Sequence, residues 1–284
     1  AYEGSPQKNL ENRSITVNRG KCLGGSSSIN GMVYIRGNKN DYDTWAALGC
    51  KGWSYEEVLP VFKKLENNNA GGDLKYHGFD GELSVVVPQD ANASGKRFIS
   101  AGGEIGLFQN SDFNAESQIG LGIYNVTQSN GTRVSSYNAF LEPVLNRTNL
   151  TILTHTSVSS LDIKGKKVIA ININTNGVDK KIHFNKEVII SAGAIDSPRL
   201  LLASGIGDKK ELESIGIECK NNLTGVGKNL QDHLDCMVTV RSDNKESIGI
   251  SWKSLIPNVL TAPFNYYFNK MGWWTTNYVE AGGF

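Results

Sequence analysis

Residues 20–37 read GKCLGGSSSINGMVYIRG, and this glycine- and serine-rich stretch is the strongest structural signal in the chain. An apparent strand over residues 15–17 precedes it, and a mostly apolar run over residues 29–35 follows as a candidate helix. Glycine and serine let the backbone approach a flat or charged ligand, whose oxygens then accept from backbone N–H groups. The pair Gly24-Gly25 alone also suits a tight turn, so the choice between a turn and a binding loop depends on the rest of the chain.

A second strand, turn and helix are predicted around residue 190. Residues 187–191 are apolar like a buried strand, residues 192–194 are small, and residues 197–204 are amphipathic. This order is typical of a doubly wound flavin- or nucleotide-binding domain. Upstream of it, we predict strands at residues 151–153, 158–163, 168–173 and 181–184, with turns at Gly165 and Asn176-Gly177.

The other segments show helical or loop patterns. Residues 40–68 have apolar residues at helical spacing, with Ser54 and Glu57 as a capping box. Residues 67–81 are polar and predict a mobile surface loop or lid. We also expect a helix near residues 94–105, a turn near 120–122 and an aromatic helix near 264–268.

Composition excludes several classes of protein. The net charge is +1 without blocks of like charge, so we expect no nucleic acid partner. The longest apolar runs are far shorter than the roughly 20 residues that a transmembrane helix needs, so none is expected. The four cysteines lack C-x-x-C spacing, which favours buried thiols over a metal site or a disulfide framework.

Several motifs together resemble one family. The stretch from Gly20 to Asp43 closely resembles the first motif of the glucose-methanol-choline (GMC) oxidoreductases, and residues 193–207, GAIDSPRLLLASGIG, resemble the second. Residues 130–150 and the segment GVGKNLQDH at 225–233 also resemble stretches of this family. The resemblance covers nearly the whole chain and is closest to the choline dehydrogenase branch.

The resemblance implies a flavoprotein that oxidises an alcohol by hydride transfer to FAD. Carried over residue by residue, it implies that FAD is bound by the following residues: Gly25, Ser26, Asn30, Gly31, Met32, Val33 and, through its backbone at the adenine, Val158. Some family members attach FAD covalently through a histidine, but Ile29 occupies that place here, so non-covalent FAD is expected. No metal is implied.

The resemblance also implies that two parts of the site lie outside this chain. The Gly-x-Gly-x-x-Gly turn is expected before Ala1, and the histidine base with its partner is expected after Phe284. We therefore assign no catalytic residue here, and we expect the isolated chain to be inactive and to bind FAD weakly. The four histidines, His77, His155, His183 and His233, are expected to be structural.

The expected fold is α/β (α+β), with a doubly wound FAD-binding domain and a substrate domain on an antiparallel sheet, both incomplete here. Residues 1–90, including the lid loop, and 151–235 are assigned to the FAD-binding domain. Residues 91–150 and 236–284 are assigned to the substrate domain.

The substrate class rests on Glu280. A carboxylate among Trp273, Trp274 and Tyr278 suits a quaternary ammonium group, so we expect Glu280 to bind substrate and choline to be oxidised to betaine aldehyde. An uncharged aliphatic or aromatic alcohol and a hydroxynitrile lyase activity remain as alternatives. The electron acceptor, whether oxygen, a quinone or another, stays open. A cytoplasmic protein, free or peripherally attached to a membrane, is expected, and the Asn-x-Ser/Thr triplets leave secretion open.

Overall fold

The computed structural model describes residues 1–233, 236, 238 and 260–284. These residues form two compact units, one of residues 1–150 with 260–284, the other of the described residues between 151 and 239. Helices and strands are mixed in the chain, which confirms the α/β class. The helices are α1 (Lys39–Ala47), α2 (Tyr55–Leu65), α3 (Ala93–Glu104), α4 (Gly193–Ala203) and α5 (Lys209–Ser214). The strands are β1 (Tyr2–Glu3), β2 (Thr16–Val17), β3 (Glu66–Asn68), β4 (Leu83–Val85), β5 (Leu121–Ile123), β6 (Gln128–Ser129), β7 (Thr132–Arg133), β8 (Thr156–Lys164), β9 (Lys167–Thr175), β10 (Val178–His183), β11 (Ile206–Gly207), β12 (Asn221–Asn222) and β13 (Ala281–Gly283).

In the first unit, α1 and α2 enclose a small hydrophobic core of Tyr42, Tyr55 and Val58. The predicted capping box of Ser54 and Glu57 opens α2. The helical pattern predicted over residues 40–68 is confirmed as the two helices α1 and α2 with a turn between them, and it is wrong for the last three residues, which form β3. Two glycines in the left-handed region, Gly49 and Gly52, permit that turn.

Short strand pairs organise the rest of the first unit. β3 pairs in parallel with β4, and β13 pairs antiparallel with β5, where only a turn was predicted. β6 and β7 form a hairpin whose turn residues, Asn130 and Gly131, both have positive φ. An Asn-Gly pair is the preferred chemistry for such a turn, because its twist matches that of the flanking strands.

Two segments of the first unit differ from expectation. Residues 29–35 are not helical, since Met32 has a φ of +60° and Val33 forms a bridge with Val126. Residues 67–81 are not wholly on the surface, because Asn68 and His77 are buried. The helix predicted near residues 94–105 is confirmed as α3, and the aromatic segment near 264–268 is helical, with a π-helix over Asn265–Asn269.

The second unit contains the three-stranded antiparallel sheet β8-β9-β10, which confirms the hairpins predicted from the sequence. Helix α4, also predicted, packs on β8, and Leu161 and Leu200 are buried. Ser204 ends the helix by accepting from the Leu161 N–H at 2.8 Å and donating to the Leu200 carbonyl at 2.6 Å.

Residues 151–153 and 188–191 are not strands, contrary to prediction. An extended segment becomes a strand only when a neighbour completes its backbone hydrogen bonds. No described residue does so for 188–191, and the Ile189 side chain is 79% exposed. Parallel pairing among the described residues consists of β3–β4, β11–β12 and a single bridge between Gln109 and Leu121.

Candidate cofactor and substrate site

The glycine- and serine-rich loop closes on itself through residues 24–28. It forms a 3₁₀-helix over Gly25–Ser28, and the Ser27 hydroxyl donates to the Gly24 carbonyl at 2.5 Å. Gly24 has a φ of +87°, and a Cβ built there would lie 2.4 Å from the Ser28 hydroxyl. Glycine is therefore required at position 24 for both its conformation and its size.

Residues 133–136 hold this loop from one side. The Ser136 N–H donates to the Ser27 hydroxyl at 2.8 Å, and the Ser136 hydroxyl donates to the Gly24 carbonyl at 3.1 Å. The Arg133 guanidinium donates to the Ser27 carbonyl at 3.1 Å. The loop is thus fixed by side chains more than 100 residues away in sequence.

The next turn, residues 30–32, is equally constrained. The Asn30 amide oxygen accepts from the Met32 N–H at 3.1 Å and from the Arg133 guanidinium at 2.8 Å. The Thr127 N–H donates to the Met32 carbonyl at 2.9 Å. These bonds hold Met32 in a left-handed conformation that a residue with a side chain adopts only at some cost.

The loop nevertheless leaves room for a ligand. A Cβ built on Gly25 or on Gly31 meets no atom within 4 Å, so the backbone borders open space at both positions. A fixed backbone beside open space suits the binding of a flat, polar ring system through backbone groups. The residues present therefore fit the flavin that the sequence led us to expect.

The β6–β7 hairpin contributes two residues that sequence reasoning missed. Gln128 and Arg133 are register partners in the hairpin. Arg133 bonds Asn30, and the buried Gln128 amide donates to the Met32 sulfur at 3.5 Å and to the Thr275 carbonyl at 2.8 Å. The Asn130-Gly131 dipeptide was the sequence signal that could have revealed this hairpin.

Glu280 is buried beside a polar cavity of about 390 Å³. Its carboxylate accepts from the Asn92 N–H at 2.6 Å and from the Thr276 hydroxyl. Gln128 and Lys270 also line this cavity, so Gln128 joins the cavity wall to the turn at residues 30–32. Glu280 therefore has a structural task at the start of α3 as well as a place in the cavity wall.

The structure brings only part of the expected aromatic group to Glu280. Trp273 lines a second cavity of about 230 Å³ together with Glu280. The side chains of Trp274 and Tyr278 are 60% and 72% exposed, and Trp274 instead packs against Tyr266. A cage of three aromatic rings around the carboxylate is therefore not formed by the described residues.

The remaining sequence-predicted residues have simpler surroundings. Ser26 is exposed, and its hydroxyl accepts from the Gly20 N–H at 3.2 Å. Ile29 is also exposed, at the end of the 3₁₀-helix. Val158 lies in β8 of the second unit, opposite Ile173.

His77 belongs to a buried ionic network that sequence reasoning did not anticipate. Its Nδ1 lies 3.1 Å from both Glu66 carboxylate oxygens, and its Nε2 lies 2.8 Å from Asp112. The Arg36 guanidinium donates to Glu66 at 2.8 Å and to the Tyr76 carbonyl at 2.6 Å. The network joins Arg36, which lies within the first motif, to Glu66, Tyr76 and His77.

The network shifts the pKa values of its members. Burial alone lowers the pKa of His77, but hydrogen bonds to Asp112 and Glu66 outweigh it and raise the pKa from 6.5 to about 9. Burial opposes ionisation of Asp112, yet hydrogen bonds from His77 and the Asn114 N–H hold the pKa of Asp112 below its ordinary value. His77 is therefore cationic at neutral pH, paired with two carboxylates.

Other features concern metals, thiols and membranes. Within the described ranges, no three His, Cys, Asp or Glu side chains are grouped as a metal site. The prediction of buried thiols is wrong for Cys22, Cys50 and Cys236, which are exposed. No helix of residues 1–233 or 260–284 has the length and apolarity to cross a membrane.

Comparison with known proteins gives a consistent result. The family model described as GMC oxidoreductase matches residues 2–235. Over its whole length the chain is 41% identical to an alcohol dehydrogenase [acceptor] of Pseudomonas putida, and the match covers 52% of that protein. It is also 38% identical over its whole length to an oxygen-dependent choline dehydrogenase of Photobacterium profundum, and the match covers 50% of that protein. The chain thus spans about half the length of these relatives.

Solved structures show the same fold. An FAD-dependent oxidoreductase from Chaetomium thermophilum matches 99% of the chain with 51% of its own, at a TM-score of 0.86 and 28% identity. The pyridoxine 4-oxidase from Mesorbium loti matches 78% of the chain with 44% of its own, at a TM-score of 0.73 and 32% identity. These comparisons indicate FAD as the cofactor of such folds.

Proposed function

The chain belongs to the GMC oxidoreductase family, and on that premise we propose that its protein oxidises a primary alcohol to an aldehyde with FAD as the hydride acceptor. The observation that carries the proposal is the rigid turn at residues 30–32, which borders open space at Gly31 and joins a polar cavity through Gln128. The alcohol's hydroxyl proton goes to a base that we expect outside this chain. Residues 1–90 and 151–235 are proposed as flavin-binding parts, and 91–150 and 236–284 as substrate-binding parts, although 234, 235, 237 and 239–259 lie outside the described residues.

The proposed flavin site uses the backbone more than side chains. Backbone N–H and carbonyl groups are presented by Gly25, Ser26 and residues 30–33. The side chains of Ser26, Asn30 and Arg133 hold this backbone in place. When bound, FAD supplies the acceptor for the hydride, which is a two-electron step. Ile29 has no nucleophilic atom, so the proposed attachment is non-covalent. Val158 is proposed to meet the adenine through its backbone.

The proposed substrate is an alcohol that carries a quaternary ammonium group. Both oxygens of Glu280 already accept hydrogen bonds, from Asn92 and Thr276. A trimethylammonium group has no N–H to donate, so it attracts a carboxylate by charge alone and does not compete with those donors. Glu280 can therefore keep its structural bonds and still favour a cation in the cavity.

A neutral alcohol is the second candidate. The Pseudomonas relative is an alcohol dehydrogenase [acceptor], whereas the Photobacterium relative is a choline dehydrogenase. In the structure, Lys270 lines the same cavity as Glu280 and carries a charge of opposite sign. A cation in the cavity wall weakens the attraction of Glu280 for a charged substrate, and this is the observation that supports the second candidate.

The test uses the full-length protein and two substrates of the same shape, choline and 3,3-dimethylbutan-1-ol. Bleaching of the flavin absorbance by either alcohol supports alcohol oxidation, and a bound flavin that neither reduces contradicts it. Glu280→Gln should lower kcat/KM for choline on the order of 10- to 100-fold and barely change it for the neutral isostere.

The matched control is Asp90→Asn. Asp90 lines the same cavity as Glu280 but is exposed. Asp90→Asn should therefore change the ratio of the two kcat/KM values much less than Glu280→Gln does. If Glu280→Gln leaves that ratio unchanged, Glu280 is structural and the choline proposal is wrong, while the oxidation of alcohols stands.

A further inference from the structure

Two buried amide side chains, Gln128 and Asn277, tie the turn at residues 30–32 to residues 275–279. The Gln128 amide nitrogen contacts the Met32 sulfur and donates to the Thr275 carbonyl at 2.8 Å. The Asn277 amide nitrogen donates to the Gly31 carbonyl at 2.8 Å and to the Val279 carbonyl at 3.0 Å. The expected flavin-binding turn is therefore bonded to the segment that carries Glu280.

The orientation of the Asn277 amide follows from its neighbours. Both of its hydrogen-bonding neighbours on one side are carbonyl oxygens, so the nitrogen must face them and a flipped amide would place oxygen against oxygen. The amide oxygen is buried and has no partner within the described residues. A buried acceptor without a partner is unfavourable. The Asn277 amide therefore uses both of its N–H donors and leaves its oxygen without a partner among the described residues.

These donors act on a peptide group that is already constrained on its other side. The peptide between Gly31 and Met32 has its carbonyl held by Asn277 and its N–H held by the Asn30 side chain at 3.1 Å. Met32 follows with a φ of +60°. Without the Asn277 bond, the carbonyl is free to rotate toward solvent, and the left-handed conformation of Met32 loses one of its restraints.

We propose that Asn277 is a positioning residue, which holds the Gly31–Met32 peptide in the orientation that the flavin ring requires. The inference rests on the proposed function, because it assumes that FAD binds at residues 30–33. Asn277 also donates to the carbonyl of Val279, next to Glu280. The same amide therefore links the turn at residues 30–32 to the residue that carries the Glu280 carboxylate.

The test compares Asn277→Ala and Asn277→Asp in the full-length protein. Loss of both donors should raise the FAD dissociation constant about 10-fold, change the visible flavin spectrum, and lower kcat for the alcohol more than it changes KM. Asn277→Asp keeps the shape of the side chain. Its carboxylate repels the Gly31 carbonyl at neutral pH, whereas its protonated form can donate again. Burial beside two carbonyl oxygens should raise the pKa of this carboxyl above its ordinary value of about 3.9, so FAD affinity relative to wild type should recover on acidification to about pH 5.

The matched control is Asn68→Ala. Asn68 is also buried, and its amide bonds both remain within residues 68–71. Asn68→Ala should lower the unfolding temperature of the protein without altering the flavin spectrum. If Asn277→Ala does not fold, the pH rescue of Asn277→Asp decides, and an affinity for FAD that does not depend on pH overturns the proposal.

The two levels of proposal fail in different ways. If the wild-type protein binds no flavin, the proposed function is wrong and the role of Asn277 is wrong with it. If wild type binds and reduces flavin normally but both Asn277 variants match it in affinity, spectrum and kcat, only the positioning role is wrong.

Discussion

The ionic network around His77 predicts a specific dependence of stability on pH. The folded state holds the pKa of His77 at about 9, against 6.5 when unfolded, so the proton is bound more tightly in the folded state. Its stabilisation is complete below pH 6.5 and is lost as the pH rises through 9. At about 1.36 kcal/mol for each pKa unit, the free energy of unfolding should fall by about 3 kcal/mol over that interval.

The assay is urea unfolding of the chain at a series of pH values from 6 to 10, for wild type and for His77→Gln. Glutamine fills much of the same space and carries no charge, so the variant should be less stable by about 3 kcal/mol at pH 6. The difference should shrink toward zero by pH 10, where His77 is neutral. Other groups that titrate in this range are common to both proteins and cancel in the difference.

A matched control is His183→Gln, because His183 is exposed at the end of β10. This variant should follow the pH profile of wild type. The reasoning is refuted if His77→Gln differs from wild type by the same amount at every pH, or if the difference grows as the pH rises. Either result would mean that the folded state does not hold a cationic His77 against Glu66 and Asp112.

Two further predictions concern the glycine- and serine-rich loop. Because Ile29 stands where a covalent attachment would need a nucleophile, acid precipitation of the full-length protein should release all of its FAD, and flavin absorbance left in the washed pellet would contradict this. Gly24→Ala should destabilise the chain by about 2 to 4 kcal/mol in urea unfolding, from its clash with Ser28 and its positive φ. Gly25→Ala, at a φ of +55° and beside open space, should cost about 1 kcal/mol. Equal losses for the two variants would show that neither the close approach nor the larger φ at Gly24 is important.

Local sequence patterns predicted the elements that depend on neighbours in sequence. The capping box of Ser54 and Glu57, the hairpins of β8, β9 and β10 and the helix α4 are all confirmed. Each of these depends on side-chain periodicity, on turn residues or on caps within a few positions. The loop at residues 20–28 was likewise found from its glycines and serines, and the family match agrees with it.

Sequence reasoning failed where the deciding partner is distant. Met32 was assigned to a helix, but its conformation is set by Thr127 and by the Asn30–Arg133 pair. His77 was predicted to lie in a mobile loop, but it is buried and pairs with the carboxylates of Glu66 and Asp112. Periodicity carries no information about such partners, because contacts of this kind are decided by tertiary packing.

The same limit explains the predicted strand at residues 188–191. Its apolar sequence is typical of the centre of a parallel sheet, where both faces are covered. The described residues supply no neighbouring strand, so it forms no ladder, and Ile189 is exposed while Val188 and Ile190 are half-buried. The apolar pattern predicted a strand here, and the prediction is wrong because a local preference alone does not make a strand.

The separations spanned by the site have a consequence for the order of folding. The bond from Asn277 to Gly31 closes a loop of 246 residues, and that from Asn92 to Glu280 closes one of 188. Closing such long loops costs chain entropy before any contact repays it, so these bonds form late. A growing chain on the ribosome therefore completes its helices and the sheet of β8, β9 and β10 while the turn at residues 30–32 still lacks one of its restraints. The cavity beside Glu280 takes shape only after residue 280 has been synthesised and β13 has paired with β5.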